Sequence, residues 1–347
     1  MAENKLKTAI LGLDGPDRTL LYAASKMASY HIHAVADKDS TLAEKVAAEL
    51  NCEHYDDYRQ LVMQNQFDCL LVAAPLYTCD EHLRTAMKKK FNILKLPPLA
   101  QDFEQALQLV RLAEEQNVRF AVANHFRCAQ SFRALKKFLQ PAYIEKIFLI
   151  TALCTASPDQ PQPWQCDQKL AGGGVLLHQC YQLIDQIVSN FAVPQQVYCL
   201  NTNTAADRKQ RQYLTEDTGV LAVRFSEAVS GNIIASKVFG PPQQILKIYG
   251  KDKTLTVTDA EFTVSDLSGH VTEHFQYHDN NLLRTTDMLN NFALSILSPD
   301  QHKLYSPAGE NLKNMAVIEA AYLSSRTAMP EQPLRILQKA HPQPTAI

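Results

Sequence analysis

The sequence lacks the features that mark nucleic-acid-binding, secreted or membrane-spanning proteins. Its formal net charge is −2 over 347 residues, so no excess of basic side chains indicates nucleic acid or an anionic membrane surface as a partner. No apolar run reaches the roughly 18 residues of a membrane span, and the first residues do not form the apolar segment of a secretion signal. We therefore expect a cytoplasmic protein with no nucleic acid and no membrane among its partners.

Metal-ligand spacing is also missing. The eight cysteines lie between Cys52 and Cys199, and no two form the CxxC pair of a zinc or redox site. His270, His274 and His278 are four apart, which on a helix would align metal ligands. Their segment is rich in β-forming residues, and ligands four apart on a strand are separated by about 13 Å. We expect reduced thiols, no metal site, and a strand and loop around the histidines.

The first part of the chain alternates short apolar runs with amphipathic segments of helical period. The apolar runs are predicted strands over 6–13, 31–36, 67–74, 92–96 and 118–123. Between them we predict helices over 18–29, 41–50, 81–90 and 103–116. Strands that alternate with helices of this length build βαβ units and a parallel sheet. Residues 1–126 are therefore predicted to form a Rossmann-type dinucleotide-binding domain.

The turn after the first predicted strand departs from the glycine fingerprint of such domains. Gly12 and Gly15 are present, but Asp14 and Asp17 stand where GxGxxG would need glycine. A carboxylate about 5 Å from a bound phosphate would repel it by roughly 3 kcal/mol. Asp37, at the end of the second predicted strand, suits a ribose hydroxyl. We expect Gly12, Asp14, Gly15 and Asp37 at a site for NAD or NADP, with weak or lost binding.

Residues 127–347 follow a different pattern. A predicted strand over 145–154 is followed by six more near 196–201, 219–226, 230–238, 244–249, 254–257 and 261–265. Strands joined by turns of a few residues pair antiparallel. Helices over 281–297 and from 306 to about 327 close the chain. We predict an α/β protein whose C-terminal α+β domain has a large, mostly antiparallel open sheet and serves substrate binding and oligomerisation.

A run of three glycines and the segment after it form the most distinctive stretch. Gly172–Gly174 permit a tight turn and close approach to bare backbone. From Val175 onward apolar residues recur at helical spacing, and His178, Gln182 and Asp185 fall on one stripe of that helix. Such a stripe behind glycines is typical of a ligand-binding wall. The alternative is a surface helix that shows its solvated face.

Five stretches together carry a resemblance to a known family. They are AVADKDSTLAEKVAAEL, FDCLLVAAPLYTCDEHLRTAMKKKFNILKLPPLA, LAGGGVLLHQCYQLID, ILKIYGKDKTLTV and AVIEAAYLSSRTAMP. In order and spacing the chain resembles the glucose–fructose oxidoreductase/inositol dehydrogenase family, Gfo/Idh/MocA, along nearly its whole length. The resemblance implies an NAD(P)-dependent oxidoreductase of sugars, cyclitols or similar polyols, with hydride passing between nicotinamide C4 and a substrate carbon. It also implies a homodimer or homotetramer that associates through the exposed face of the large sheet.

The resemblance identifies positions where the family chemistry is missing. Members usually read Glu-Lys-Pro where this chain has Leu-Pro-Pro, so the lysine that contacts the reacting hydroxyl is Pro97 here. The aspartate and the acid/base histidine that follow the glycines in the family are His178 and Gln182. Glutamine cannot shuttle a proton, and proline has no side-chain donor. Asp185 and Pro75 match the family, and we expect Pro75 and Pro97 to border the cofactor.

Two residues offer substitutes for the missing groups. Lys95 lies two positions before Pro97, and side chains two apart on a strand share a face about 7 Å apart. A histidine titrates near neutrality, so His178 could serve as a base. Together with Gln182 they form the candidate catalytic set. The alternatives are a surface lysine with its charge in water and a helix histidine bonded to a loop.

A sugar-like small molecule is the expected ligand. Besides His178, Gln182 and Asp185, residues of neighbouring loops are candidates for its site: His125, Arg127, Lys169 and Gly173. Three functions remain open. The chain is a catalytically degenerate pseudo-dehydrogenase that binds a sugar-like ligand, an active NAD(P)-dependent oxidoreductase that uses Lys95 and His178, or a structural subunit that partners an active paralogue.

Overall fold

The computed structural model describes residues 5–13, 18–157, 162–204, 214–238 and 240–338. By its internal contacts the chain divides into two units. The first unit contains Met1–Ala100, Glu104–Cys128 and Asn280–Asn311, and the second contains Gln101–Phe103, Ala129–Asp279 and Leu312–Ile347. The sequence predicted two continuous domains, 1–126 and 127–347. The main difference in the structure is that Asn280–Asn311 belongs to the first unit.

The strands form two sheets. In chain order they are β1 (Leu6–Leu11), β2 (Tyr30–Ala36), β3 (Glu53–Tyr55), β4 (Cys69–Val72), β5 (Asn92–Lys95), β6 (Phe120–Val122), β7 (Ile147–Thr155), β8 (Gln196–Thr202), β9 (Thr218–Arg224), β10 (Ser230–Ser236), β11 (Gln243–Gly250), β12 (Thr254–Thr258), β13 (Glu261–Ser265) and β14 (Val271–Gln276). The first sheet has the order β3-β2-β1-β4-β5-β6 and is parallel. The second has the order β14-β13-β12-β11-β7-β10-β9-β8 and is antiparallel except between β7 and β10. Both predicted sheets are confirmed.

The α-helices of the described residues connect and cover these strands. They are α1 (Thr19–Lys26), α2 (Ser40–Leu50), α3 (Tyr58–Gln64), α4 (Asp80–Lys88), α5 (Phe103–Glu115), α6 (Gln130–Phe138), α7 (Pro141–Ile144), α8 (Gln168–Ala171), α9 (Val175–His178), α10 (Tyr181–Asn190), α11 (Asn281–Leu297), α12 (Ala308–Thr327) and α13 (Pro333–Gln338). The start of α2 has a clear local cause, because the Asp39 carboxylate accepts a hydrogen bond from the Leu42 N–H at 3.1 Å. None of these helices combines the length and the apolar composition that a membrane span needs.

The core of the first unit includes a helix that follows the whole second sheet in sequence. Leu20 and Ala24 of α1 share one apolar cluster with Leu289 and Phe292 of α11. The Tyr30 hydroxyl of β2 donates a hydrogen bond to the carbonyl of Leu289 at 2.6 Å. The apolar stripe of α11 therefore completes the Rossmann-type unit.

The second sheet has one buried face and one open face. Along β9, Leu221 and Val223 are buried, whereas Val220 and Ala222, which alternate with them, are exposed, Val220 by 41%. This alternation is typical of an antiparallel sheet covered on one side. β14 is an edge strand with every residue exposed. His274 lies in it, so the predicted strand in the histidine segment is confirmed.

Candidate functional site

One edge of the first sheet carries the residues expected to meet a dinucleotide. β1 ends just before Gly12, and β2 ends just before Asp37. Gly12 has a φ of +83°, and a Cβ there would collide with the backbone of Ala74, so the position requires glycine. The other expected loop positions lie outside the described residues: Asp14, Gly15 and Asp17.

Asp37 is held in place by backbone amides. Its Oδ2 accepts a hydrogen bond from the Leu13 N–H at 2.6 Å, and its Oδ1 accepts one from the Asp39 N–H at 3.0 Å. A carboxylate has about four lone-pair sites, so acceptor capacity remains for ribose hydroxyls. Beside it the Lys38 ammonium lies 5.1 Å from the centre of the Tyr77 ring. This acceptor set fits the ribose end of a dinucleotide.

Lys95 is the last residue of β5, and its side chain is only 3% exposed. Its Nζ donates hydrogen bonds to the carbonyl oxygens of Leu96, at 3.1 Å, and Pro98, at 2.5 Å. Burial lowers the pKa of Lys95 to about 8. The alternative of a surface lysine is therefore wrong. The amine is instead bonded to the loop that carries Pro97, which joins Pro98 through a cis peptide bond.

Pro75 lies three residues after the end of the neighbouring strand, β4. Its carbonyl accepts hydrogen bonds from the Thr78 hydroxyl at 2.7 Å and the Cys79 thiol at 3.2 Å. Burial raises the pKa of Cys79, and the charge of Lys95 opposes that rise. The carboxyl ends of β4 and β5 thus hold a buried amine and a buried thiol, both bonded to backbone carbonyls.

His125 and Arg127 belong to one short turn after β6. Burial, together with the Arg284 guanidinium, lowers the pKa of His125 to about 4, so its ring is neutral at pH 7. The Arg127 guanidinium donates to the Glu310 carboxylate at 2.7 Å and to the carbonyl of Tyr305. Arg127 therefore makes these polar contacts inside the first unit.

The glycine run of the second unit is packed against its neighbours. Gly172 has a φ of +78°. A Cβ on Gly173 would collide with the ring and hydroxyl of Tyr322, and one on Gly174 would collide with the backbone of Glu216. All three positions thus need glycine for reasons inside this unit.

The single helix predicted after the glycines is in fact two helices. α9 ends at His178, and α10 begins at Tyr181. Between them the Cys180 N–H donates to the carbonyl of Val175 at 2.9 Å, five residues back, so the regular i to i−4 pattern is lost. The predicted continuous stripe that His178 would share with residues 182 and 185 was therefore wrong.

His178 and Asp185 both have polar partners in the second unit. The His178 Nε2 lies 3.0 Å from the carbonyl oxygen of Ala171, and its ring lies edge-on to Trp164 with 5.7 Å between the ring centres. Asp185 is fully buried, and it accepts a hydrogen bond from the Asn314 amide at 2.8 Å. His178 is thus bonded to the last residue of α8, and the burial of Asp185 shows that this stripe of α10 is not a solvated face.

The candidate residues fall into two groups, one in each unit. The first unit holds Gly12, Asp37, Pro75, Lys95, Pro97, His125 and Arg127. The second unit holds Lys169, Gly173, His178, Gln182 and Asp185. Lys169 lies in α8 just before the glycine run, and Gln182 lies in the first turn of α10. The roles assigned to these residues remain predictions.

Sequence reasoning missed three residues next to the glycine run: Trp164, Glu216 and Tyr322. Glu216 and Tyr322 contact the glycines from positions more than 40 residues away along the chain. No local pattern links such distant positions. The only available indication was that Trp164 is the single tryptophan of the sequence.

Two family profiles match the chain. Residues 6–124 match the oxidoreductase family with an NAD-binding Rossmann fold, and residues 132–256 match the GFO/IDH/MocA C-terminal domain. The chain belongs to the Gfo/Idh/MocA family. The resemblance stated from the sequence is therefore confirmed, and the first unit of this Gfo/Idh/MocA protein carries the NAD-binding Rossmann domain.

The characterised relatives of this Gfo/Idh/MocA protein are distant. It is 22% identical to 2,7-anhydro-N-acetylneuraminate hydratase of Escherichia coli over 70% of this chain and 65% of that protein. It is 22% identical to UDP-N-acetylglucosamine 3-dehydrogenase of Acidithiobacillus ferrooxidans over 73% of this chain and 74% of that enzyme. The match therefore spans slightly less than two thirds of the E. coli relative.

Solved structures share the complete fold. A levoglucosan dehydrogenase in complex with NADH and levoglucosan has a TM-score of 0.83 at 15% identity, over 94% of this chain and 99% of that one. The WlbA dehydrogenase of Bordetella pertussis in complex with NADH and UDP-GlcNAcA has a TM-score of 0.79 at 17% identity, over 94% and 98%. At such identities the likeness establishes the fold.

Proposed function

We propose that this Gfo/Idh/MocA protein binds a sugar-like small molecule through its second unit and does not catalyse the family's usual hydride transfer. The observation that carries the proposal is how the two substitute groups are bonded. The Lys95 amine donates to its own loop, and the His178 ring bonds the carbonyl of Ala171. Pro97 and Gln182 supply no proton-transfer group in place of the family's lysine and histidine.

The sugar-like class of the ligand rests on the relatives and on the chemistry around the glycine run. The relatives named above act on sugars or sugar nucleotides, and the solved neighbours hold levoglucosan or UDP-GlcNAcA. Lys169, His178 and Gln182 carry the donors and acceptors that sugar hydroxyls need. The Trp164 ring beside His178 adds an aromatic surface of the kind that lines small-molecule sites.

The nicotinamide dinucleotide belongs, in our proposal, to the first unit. Gly12 and Asp37 would meet its ribose, and Pro75 and Pro97 would border its reactive ring. Only under the alternative of an active oxidoreductase would a nicotinamide held there supply the hydride acceptor or donor. Asp37 favours the free ribose hydroxyl of NAD over the phosphate of NADP.

We predict that native binding of NAD⁺ is weak, with a dissociation constant of about millimolar order. The reason is the repulsion between a phosphate and the carboxylates expected from Asp14 and Asp17. The double variant Asp14→Gly/Asp17→Gly should bind on the order of a hundredfold tighter. Calorimetry with NAD⁺ and NADP⁺ measures both proteins, and Glu44→Gln, at an exposed position of α2, is the acidic control outside the loop. Micromolar affinity of the native chain would contradict the prediction.

Hydride transfer tests the proposal directly. Reduced nicotinamide is measured with NAD⁺ and NADP⁺ over a panel of levoglucosan, inositol, glucose 6-phosphate and UDP-N-acetylglucosamine, beside thermal shifts with each sugar. We expect no turnover at ordinary enzyme rates and a raised melting temperature with at least one sugar. Turnover that is lost in Lys95→Ala/His178→Ala would overturn the proposal in favour of an active oxidoreductase. Neither turnover nor a thermal shift would favour the structural subunit.

The thiols support a reducing compartment. None of the eight cysteines, which all lie within the described residues, belongs to a disulfide, and most of them are buried. Disulfides persist in oxidising environments and are rare in the cytosol. We therefore propose a cytoplasmic location, to be tested by localising the tagged protein in its own cells.

A further inference from the structure

Glu216 is a buried carboxylate that the proposed function does not use. It is 7% exposed. Its Oε2 accepts a hydrogen bond from the Gly174 N–H at 2.7 Å, and its Oε1 accepts one from the Leu176 N–H at 3.0 Å. The Tyr322 hydroxyl donates to the same Oε1 at 2.9 Å. Burial raises the pKa of Glu216 despite these donors, so the group is costly to keep ionised.

The backbone of Glu216 adds a further bond to the same turn. Its carbonyl accepts a hydrogen bond from the Val175 N–H at 3.1 Å. Three successive amides, 174 to 176, therefore all donate to this one residue. The first N–H groups of a helix have no partner within the helix, and Glu216 satisfies those of α9. Only glycine at 174 leaves room for this approach.

The turn that Glu216 holds is the turn that ends at His178. The His178 N–H donates to the carbonyl of Gly174 at 3.0 Å, so the histidine is one helical turn from the clamped amide. A helix of four residues has little stability of its own, because helix nucleation is unfavourable. The direction of the His178 side chain therefore depends on the contacts at the start of α9.

We propose that Glu216 is the positioning residue for His178: by binding the amides of Gly174 and Leu176, it sets where the imidazole lies beside Trp164. The inference rests on the proposed function only in taking His178 to line the ligand site. Glu216 itself touches no ligand. Tyr322 supports the carboxylate through the hydrogen bond from its hydroxyl to Oε1.

Trp164 provides a readout for this geometry. It is the single tryptophan of the chain, and its ring lies against that of His178. A protonated imidazole in contact with an indole quenches its emission, so fluorescence followed against pH reports the titration of His178. His178→Gln gives the baseline, because it removes the titrating group.

Three variants separate positioning from charge. Glu216→Gln keeps the size of the side chain but replaces one of the two carboxylate oxygens by an NH2 donor, so one of the two backbone amides loses its acceptor. Glu216→Asp keeps the charge but is one methylene shorter, so it cannot span them. Tyr322→Phe removes one donor and leaves both amide bonds in place. Melting temperatures are recorded for all of them, so that loss of fold is recognised.

We expect both Glu216 variants to move the midpoint of the His178-dependent fluorescence titration by roughly half a pH unit or more. Tyr322→Phe should retain the native midpoint. In the His178→Gln background, Glu216→Gln should leave the pH profile flat. This control is needed because the Thr215 hydroxyl, next to Glu216, donates to the carbonyl of Gln165, next to Trp164. A flat profile would show that the Glu216 substitution does not change the Trp164 fluorescence by that route.

Other outcomes would overturn the inference. A native midpoint in folded Glu216→Gln would show that the carboxylate only stabilises the fold. A native midpoint in Glu216→Asp with a shifted one in Glu216→Gln would show a charge effect without positioning.

Sugar binding separates this inference from the proposed function. If a panel sugar binds the native chain, both Glu216 variants should weaken it about tenfold. If no sugar binds while the titration still depends on Glu216, the proposed function fails and the positioning role stands.

Discussion

Lys95 is buried, although a lysine in a sequence is most simply interpreted as a surface residue. Lysine is among the residues that are almost never fully buried without a partner of opposite charge. Here its amine donates to two carbonyl oxygens. Carbonyl groups favour the charged form less than a carboxylate does, and burial lowers the pKa of Lys95 to about 8.

We predict that the lowered pKa of Lys95 makes the free energy of unfolding depend on pH. Because its pKa is about 8 in the folded protein against 10.5 in the unfolded chain, the unfolded chain holds the proton more tightly. Its contribution to the free energy of unfolding should rise between pH 8 and pH 10.5, by about 3 kcal/mol at most. Lys95→Met should lack this rise. Urea unfolding at several pH values measures it.

The exposed Lys88 of α4 provides the control for that experiment. Lys88→Met removes the same charge from solvent and should keep the native pH dependence. If Lys95→Met and the native protein change in parallel between pH 8 and pH 10.5, Lys95 has an ordinary pKa and the prediction fails.

At the scale of single residues, the sequence showed which residue stands at each motif position but not which distant residues contact it. It showed that proline, histidine and glutamine stand at 97, 178 and 182, because a motif is a local pattern. It did not show that Glu216 and Tyr322 contact the glycine run, since these partners come from the loop before β9 and from α12, both distant along the chain. Burial of Lys95 depends on the packing around β5, which one strand's sequence does not encode.

At the scale of elements, the glycine run is required by packing within the second unit. Gly173 faces Tyr322, which is fixed through its hydrogen bond to Glu216. Overpacking a well-filled core costs typically 1–3 kcal/mol. We therefore predict that Gly173→Ala destabilises the protein by about that amount, as measured by chemical denaturation.

Gly309 offers a matched control within α12. A Cβ at this position would have only the Val110 side chain near it, at 3.9 Å. Gly309→Ala should therefore be neutral or stabilising by up to about 1 kcal/mol, because alanine favours a helix. Equal effects of the two substitutions would show that Gly173 is not packed as described.

The elements themselves were predictable where their period is long and clear. α2 and α5 match their predicted ranges within one residue, because apolar spacing and caps are both local. The break between α9 and α10 was not predicted. The apolar spacing continues across it, and the change in hydrogen bonding at Cys180 leaves no mark in composition.

At the scale of the whole molecule, the open face of the second sheet carries an apolar row. Cross-strand register aligns five residues from neighbouring strands: Leu200, Val220, Ile234, Leu153 and Ile245. Leu200 is 60% exposed and Val220 is 41% exposed. An exposed apolar patch of this kind marks an interaction surface. The sequence predicts a homo-oligomer, so we expect a second copy of this chain to cover the apolar row.

We predict that the native protein is a dimer or tetramer at micromolar concentration, held through this open face. Stable interfaces bury about 1,600 Å² in total. The double variant Leu200→Lys/Val220→Lys places two charges at the β8 end of the apolar row, on its two most exposed residues, where their desolvation would oppose association. Light scattering should give a multiple of the monomer mass for the native chain and the monomer mass for this variant.

Leu267 supplies the control, because it is 73% exposed in the turn between β13 and β14 and lies outside the apolar row. Leu267→Lys adds a charge at an even more exposed leucine, so it should leave the native mass unchanged. Loss of assembly in both variants would point to a general effect of added charge. A native protein that is monomeric at micromolar concentration would contradict the prediction outright, and the apolar row would then lack the second copy we assign to it.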